Sequence, residues 1–486
     1  MPVAEVFKPR VVKLLDLLES GRFKQFVTDH YKCNPRLSGL PCKQKDEPGI
    51  TLAFNSGGPA NVNDAVLEGL TNGTENNGGL VFGIEDGCEG IVDGLRGILL
   101  SGMQINGIKN RGEIILGSSR RKLTAQEIIN LKDQALRYDL KIIGAGGDDT
   151  QSALAAIDDA GGRVIGIGKT VDDDLPFARM CFGHRTAIDI ISKLMVIYVR
   201  ETRVNGRNLL AEVMGRKSGS LTFRVGKIAG ITRTFIPEEF TQQGLQQLVA
   251  AAQRGALIAH HLLLDLSHAT LIDGQNRTVD WIMHNIGQVD PEAVKIDYRG
   301  VVGIMHDISQ SRASRGINYN SFAIAEGIAE RGPAKIVEKD LNTQRPTLWE
   351  MDILGTKAVL KADRHFTPEV GKVQIGHIMA PIIQQTIGRP VFFERLTYEG
   401  RCADGASEDI MVGLDLGMYA SNLAAQGSFG QMVVEGDNRT IISVPFSQLE
   451  RDCVTKKIIP RNVKLDSQEY LLAMQFQHFL QHNAGF

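Results

Sequence analysis

Short apolar runs, glycine-containing turns and amphipathic stretches recur along this chain in a strand-then-helix rhythm. The clearest instance spans 141–176. Lys141–Ala145 reads as an apolar strand, followed by a Gly-Gly-Asp-Asp-Thr loop (146–150) and a helix from about Gln151 to Ala160. Gly161 and Gly162 stop that helix, and a second apolar strand, Val164–Ile167, runs into Lys169, Thr170 and the carboxylates of Asp172, Asp173 and Asp174. Two short strands joined by a helix make a βαβ unit with adjacent, parallel strands. Both acidic loops are therefore expected at the carboxyl edge of one sheet, where open α/β sheets place their ligands. Five aspartates (Asp148 and Asp149 included) and one lysine at such an edge are costly unless a cation or a phosphate uses them.

The same rhythm continues on either side. Strands are expected at Ile50–Phe54, Val81–Ile84, Glu113–Arg120, Leu209–Val213, Ile231–Ile236, Leu262–Leu266, Ser321–Ile324, Phe392–Leu396 and Gln431–Glu435. Helices are expected after Asp64 through Leu70, over Thr186–Val199, from about Ser220, over Ile375–Ile387 and from about Asp409 to Ala425. Residues 270–300 show no clear period, and Lys335–Ala362 reads as charged and irregular. This alternation predicts an α/β protein with two Rossmann-like three-layer α/β/α domains, mostly parallel sheets and an active site between them. The first domain is expected over 49–185 plus about 405–435, and the second over 186–404 plus about 436–486. Residues 1–48 stand apart as an N-terminal helical extension, with helical spacing over Val3–Tyr31 and a polar connector over Cys33–Glu47.

Composition narrows the partners. A formal net charge of −2 without a long basic run gives no footprint for nucleic acid or an anionic membrane surface. The six cysteines are scattered without metal-ligand spacing, and the N-terminus lacks a signal-peptide pattern, so reduced thiols and a cytoplasmic location are expected. No apolar run is long enough for a transmembrane helix.

Several residues offer chemistry. The Ser56-Gly57-Gly58-Pro59 turn between a strand and a helix can present backbone N–H groups to an anion, or be a plain tight turn. Asp148 after two glycines suits a Mg²⁺ that also binds phosphate oxygens. Gly168-Lys169-Thr170 is no Walker loop, because five residues separate Gly162 from Gly168 and an acidic stretch follows instead of a helix. Asp172 and Asp174, two apart on an extended segment, face the same way, so one can accept a hydroxyl proton; turn caps are the alternative. Arg207, Arg216 and Arg401 at strand termini fit phosphate recognition, as do Arg120 and Arg121, although any single arginine is more often a surface ion pair.

Taken together, these segments resemble the phosphofructokinase family. The matching stretches are Ser56-Gly-Gly-Pro-Ala60, Leu116-Gly-Ser-Ser-Arg120, Gly146-Gly-Asp-Asp-Thr150, Lys169-Thr-Val-Asp-Asp-Asp-Leu175, Glu212-Val-Met-Gly-Arg216, Ile236-Pro-Glu238 and Tyr398-Glu-Gly-Arg401, in the family's order. The resemblance implies that Gly58 lines the phosphoryl-donor pocket with Arg120 beside it, that Asp148 holds Mg²⁺, and that Asp172 is the general base on the sugar's 1-hydroxyl. It implies catalytic roles for Lys169 and Arg216. Thr170, Val171, Asp172, Met214, Gly215, Arg216, Glu238, Tyr398, Glu399, Gly400 and Arg401 would position fructose 6-phosphate. Arg207 would reach in from a neighbouring copy, which implies a homodimer or homotetramer with shared sites.

Within this resemblance the donor is set by two positions. Members that use ATP usually carry glycine where Asp149 and Lys169 stand, whereas pyrophosphate users carry Asp and Lys. An aspartate at 149 fills the space of an α-phosphate and repels it, and Lys169 can neutralise the departing phosphate. The expected reaction is Mg²⁺-dependent, reversible transfer from pyrophosphate to fructose 6-phosphate; the alternatives are the ATP-dependent enzyme and a non-catalytic regulatory subunit. Three features depart from the pattern: Asp173 in place of Asn, Gly183-His184-Arg185 without an aromatic–acidic pair, and Phe392 where a base is usual. Arg395 or Arg389 is the candidate substitute for that base.

Overall fold

The computed structural model describes residues 10–32, 49–101, 105–110, 112, 114–340, 344, 346–361 and 373–483. The expected connector Cys33–Glu47, with Cys33 and Cys42, lies outside the described residues. The four described cysteines, Cys88, Cys181, Cys402 and Cys453, are free thiols.

The strands are β1 (Val12–Lys13), β2 (Ile50–Asn55), β3 (Leu80–Ile84), β4 (Arg96–Leu100), β5 (Lys141–Gly146), β6 (Val164–Gly168), β7 (Asn208–Val213), β8 (Arg233–Phe235), β9 (Thr270–Ile272), β10 (Gln275–Asn276), β11 (Val294–Ile296), β12 (Asn320–Ala325), β13 (Ala334–Lys339), β14 (Pro346–Ile353), β15 (Thr356–Lys361), β16 (Val391–Leu396), β17 (Gln431–Glu435) and β18 (Ile441–Pro445). The chain divides into two compact units, Met1–Ala187 with Glu399–Arg461, and Ile188–Tyr398 with Asn462–Phe486.

The first unit holds an eight-stranded sheet in the order β1-β4-β3-β2-β5-β6-β17-β18. Its central strands β3, β2, β5, β6 and β17 are parallel, and antiparallel strands close both sides. Alternate residues feed two separate cores. Leu52, Phe54, Ile142, Val164, Met432 and Val434 pack on one face with Leu131 and Leu154 from the helices Ala125–Arg137 and Asp148–Asp159. Ala53, Ile143, Ala145, Ile165, Ile167 and Val433 pack on the other with Val66, Leu70, Leu416 and Ala420 from the helices Asn63–Asn76 and Ser407–Ala425. Burial on both faces is why these strands read as unbroken apolar runs. The latter two helices touch through glycine: a Cβ on Gly69 would lie 2.1 Å from the Leu414 carbonyl oxygen, and one on Gly417 would lie 2.1 Å from that of Val66. Only hydrogen fits between the two backbones at these points.

The second unit holds a four-stranded, wholly parallel sheet, β16-β7-β12-β8. It also carries two small antiparallel sheets, β10-β9-β11 and β13-β14-β15. The fold is thus mixed α/β with a large, mostly parallel sheet.

Several expectations are corrected. Of the expected strand Glu113–Arg120, the described residues 114–120 form no strand: Gly117 turns the backbone at φ +65, and Ser119 makes only an isolated bridge to Ser56. Leu262–Leu266 lies inside the helix Leu257–Ala269, because Ala259, Leu262, Leu263 and Leu266 give a helical stripe towards the core. Within the stretch expected to be irregular, Lys335–Ala362, the described residues include the antiparallel strands β13, β14 and β15, whose thinly buried outer members carry a polar pattern. The N-terminal extension is not wholly helical, since β1 adds to the sheet edge through the register Val12↔Gly97 and buries Leu14. Residues 436–461 belong to the first unit, because β18 pairs along β17. Among the described residues, no helix is long and apolar enough to cross a membrane.

Candidate active site

Strand order reverses between β2 and β5: β3 lies on the far side of β2, and β6 lies beyond β5. Such a switch point opens a crevice at the carboxyl ends of the strands. The registers Asn55↔Ala145 and Gly146↔Gly168 align the three strand ends there. Both acidic segments leave this one edge, as the βαβ reading requires. The turn after β2 is tied down on two sides: Ser56 N–H donates to Ala145 O at 3.0 Å, and Gly57 N–H to Ser119 O at 2.9 Å. Ser118 Oγ donates to Gly57 O at 2.8 Å, which brings the 118–120 segment alongside Gly58. A Cβ at Gly58 would sit 3.9 Å from the Arg120 guanidinium.

Lys169 crosses this edge. Its Nζ donates to Ser56 O at 2.9 Å and to Gly58 O at 2.8 Å, and the side chain is buried. Burial, with a smaller push from the Arg401 cation, lowers its pKa from 10.5 to about 7. The carbonyl bonds favour the ammonium and pull the other way.

Asp148 and Asp149 do not stand on a flexible loop. They open the helix Asp148–Asp159, where unbonded N–H groups and the helix dipole favour carboxylates. Asp149 is bridged by two lysines, Lys122 Nζ at 2.8 Å and Lys457 Nζ at 3.4 Å. Among the described residues no cluster of three or more His, Cys, Asp or Glu could hold a metal alone. Asp148 at a phosphate-favouring helix N-terminus nevertheless fits a Mg²⁺ that takes its other ligands from phosphate and water.

The segment after Lys169 is bent, which corrects the reading of Asp172 and Asp174 as alternate positions of an extended strand. Asp173 between them is left-handed, with φ +57, a conformation Asn and Asp tolerate best. Its buried carboxylate accepts from Cys181 N–H at 2.9 Å and pairs with the Arg461 guanidinium at 2.7 Å. The charge gained in place of Asn is thereby balanced. Asp172 N–H donates to Thr170 Oγ1 at 3.1 Å, while His184 Nδ1 lies 2.7 Å from Val171 O. The departure at 183–185 has a structural use too. Asp409 accepts from Gly183 N–H, Thr186 N–H and Thr186 Oγ1, and Arg185 pairs with the buried Glu435. Glu399, Gly400 and Arg401 form a short helix, Glu399–Cys402, in this same unit.

In the second unit β7, β12 and β16 end together, through the registers Ala325↔Val213 and Leu396↔Val213. Met214 N–H donates to Leu396 O at 3.1 Å and Gly327 N–H to Gly215 O at 3.1 Å, so the Met214-Gly215-Arg216 turn is fixed to its neighbours. Gly215 has φ +134, and a Cβ there would lie 2.6 Å from Ser218 O. Arg216, half-exposed, pairs with Glu330, while Tyr398 is exposed at the end of β16. Glu238 is buried against backbone, accepting from Gly219 N–H at 3.0 Å and Val463 N–H at 3.0 Å, and burial raises its pKa to about 7. Arg207 pairs with Glu201 and lies over the Phe392 ring at 4.8 Å. Of the candidates for the missing base, Arg389 bonds Asn318 at the entrance of β16, away from the carboxyl edge. Arg395 lies at that edge, bound to the buried Glu212 at 3.0 Å with Glu326 at 3.8 Å.

Sequence reasoning gave no role to Lys122, Lys457 or Arg461. Their basic side chains have no local motif, and only tertiary packing brings them to the acidic loops.

Residues 51–292 match the family described as Phosphofructokinase. The chain is 32% identical over 220 residues to the pyrophosphate–fructose 6-phosphate 1-phosphotransferase of Thermotoga maritima, covering 43% of this chain and 52% of that protein. It is 32% identical over 189 residues to ATP-dependent 6-phosphofructokinase 2 of Streptomyces coelicolor, covering 38% and 55%. These matches span about half the length of the curated relatives. Among solved structures, the pyrophosphate-dependent phosphofructokinase of Marinobacter aquaeolei superposes with a TM-score of 0.56 at 15% identity, covering 88% of this chain and 91% of that one, a likeness of fold. Residues 51–292, running from the first compact unit into the second, are therefore phosphofructokinase-family sequence.

Proposed function

We propose that the chain transfers a phosphoryl group from inorganic pyrophosphate to the 1-hydroxyl of fructose 6-phosphate in the cytoplasm, giving fructose 1,6-bisphosphate and phosphate. Asp172 accepts the hydroxyl proton as the sugar oxygen bonds to the terminal phosphorus and the bridging P–O bond breaks. Lys169 and Arg216 stabilise the charge that builds on the phosphates. Arg120 and the Gly58 turn hold the donor, and Thr170, Met214, Tyr398 and Arg401 orient the sugar phosphate. Asp148 is the residue that would hold Mg²⁺, which supplies charge neutralisation at the phosphate oxygens. Two or four copies assemble in this reading, with Arg207 serving a neighbour's sugar phosphate; a wild-type subunit restoring activity to an Arg207→Ala partner in mixed oligomers tests that.

The observation that carries the donor assignment is Lys169. Its buried ammonium bonds the Ser56 and Gly58 carbonyls and fills, with a side chain, space that glycine would leave to a larger donor. One observation favours the ATP-dependent alternative: Asp149 is bridged by two lysines, which offsets its repulsion of an α-phosphate.

The reverse reaction tests the proposal. Fructose 1,6-bisphosphate with phosphate and Mg²⁺, without nucleotide, is expected to yield fructose 6-phosphate and pyrophosphate. Turnover that requires ADP instead would overturn it.

A further inference from the structure

The segment after β18, beyond the matched residues 51–292, packs on the donor-side helix Asp148–Asp159 as a tight turn, with Arg451 and Ile458 facing each other as antiparallel bridge partners. Arg451 pairs with Asp159 at the helix C-terminus, and Ile458 N–H donates to Ser152 Oγ at 2.9 Å near its N-terminus. Ile458 is buried, so its neighbour Lys457 is fixed beside Asp149. Lys122 comes from a separate segment, the stretch between Arg121 and the helix Ala125–Arg137, and is half-buried. Two ammonium groups thus converge on one carboxylate at a helix N-terminus, a place that favours anions. An isolated surface pair would contribute little. Here, however, the backbone bond of Ile458 and the helix hold the charges in place, so each lysine is pre-organised for whatever anion stands at that point.

We propose that Lys122 and Lys457 are specificity-determining residues whose role Asp149 controls. With Asp149 present, its carboxylate occupies both lysines and they bind no donor. With Asp149 removed, they become the counter-charges for the additional phosphate of a nucleoside triphosphate. The idea rests on the pyrophosphate reading of the site. It differs from simple exclusion in one respect: loss of Asp149 should do more than vacate space, because it releases two positive charges already aimed at that space. Lys457 then makes the C-terminal segment part of the donor site.

Binding of MgATP by titration calorimetry separates the possibilities. Asp149→Gly is expected to bind MgATP at least tenfold more tightly than the wild type. Adding Lys457→Met is expected to return about tenfold of that affinity, as is adding Lys122→Met. Asp149→Gly with Lys457→Arg keeps the charge and should retain the gain, which guards against a packing effect. Thermal melts of each variant check that the chain stays folded. Equal MgATP affinity in Asp149→Gly with and without both lysines would overturn the inference, whichever donor the wild type uses. Wild-type turnover with ATP and none with pyrophosphate would instead overturn the donor reading.

Discussion

If Lys169 receives pyrophosphate as an ammonium, donor use must depend on pH through this one side chain. Its pKa of about 7, against the ordinary 10.5, means that the free protein loses the cation progressively above neutrality. Each pH unit above about 7 then leaves about tenfold less of the receptive form, so kcat/KM for pyrophosphate should fall about tenfold per unit. Pyrophosphate itself titrates in this range, and Lys169→Arg controls for it, because guanidinium stays charged throughout. The ratio of wild-type to Lys169→Arg kcat/KM should fall between pH 7 and 9, whereas Lys169→Met should be low at every pH. Stability gives an independent reading. A lysine whose folded pKa lies below its unfolded value penalises folding while it is charged. That penalty is complete below about pH 7 and fades as pH rises towards 10.5. The gap corresponds to about 5 kcal/mol as an upper bound, since the Ser56 and Gly58 carbonyls act in the opposite sense. Loss of those bonds costs Lys169→Met about 1–3 kcal/mol. The pH slope is therefore the readout: the stability of Lys169→Met relative to wild type should decline from pH 6 to pH 10. A wild-type to Lys169→Arg ratio flat with pH, together with parallel stability curves, would refute the reasoning.

Arg461→Met removes the cation that faces the buried Asp173 carboxylate and should destabilise the protein by about 2 kcal/mol, less than for a fully buried pair because Arg461 is partly exposed. It should also lower kcat by displacing the Asp172 loop; Asp173→Asn, which keeps an acceptor for Cys181 N–H and tolerates positive φ, should cost much less on both counts in denaturant melts and steady-state assays. Glu238 has a folded pKa raised to about 7 from 4.5, so its contribution is complete below pH 4.5 and is lost as pH rises through about 7. Glu238→Gln should therefore flatten by up to about 3 kcal/mol the fall in stability between pH 4.5 and 7, as measured by urea unfolding. Asp148→Asn should reduce turnover by about 10²-fold or more and raise the Mg²⁺ concentration needed for half-maximal rate, with chelator abolishing activity in the wild type.

The parallel centre of the first sheet is legible because both of its faces are covered, which leaves unbroken apolar runs such as Ile50–Phe54 and Val164–Ile167. The antiparallel edges are less so: β1 has two residues, and β18 is half-buried, so neither imposes a strong pattern. Leu262–Leu266 misleads because a run of leucines has no period of its own, and burial beside the helix Gln242–Gln253 decides for helix. At the site, the motifs fix which loops matter but not how their charges are balanced. Asp149 and Asp173 read as surplus negative charge, yet their partners Lys122, Lys457 and Arg461 come from segments 27 to more than 280 residues away, a distance no local pattern spans. Glu238 illustrates the reverse: a residue expected to hold sugar is bonded to backbone N–H groups of Gly219 and Val463.

A donor comparison on the purified full chain, with fructose 6-phosphate and Mg²⁺ and product followed by phosphorus NMR, bears most directly on the account. Pyrophosphate is predicted to give fructose 1,6-bisphosphate and one equivalent of phosphate, with ATP leaving the sugar unchanged over the same interval. Conversion driven by ATP while pyrophosphate stays intact would contradict it.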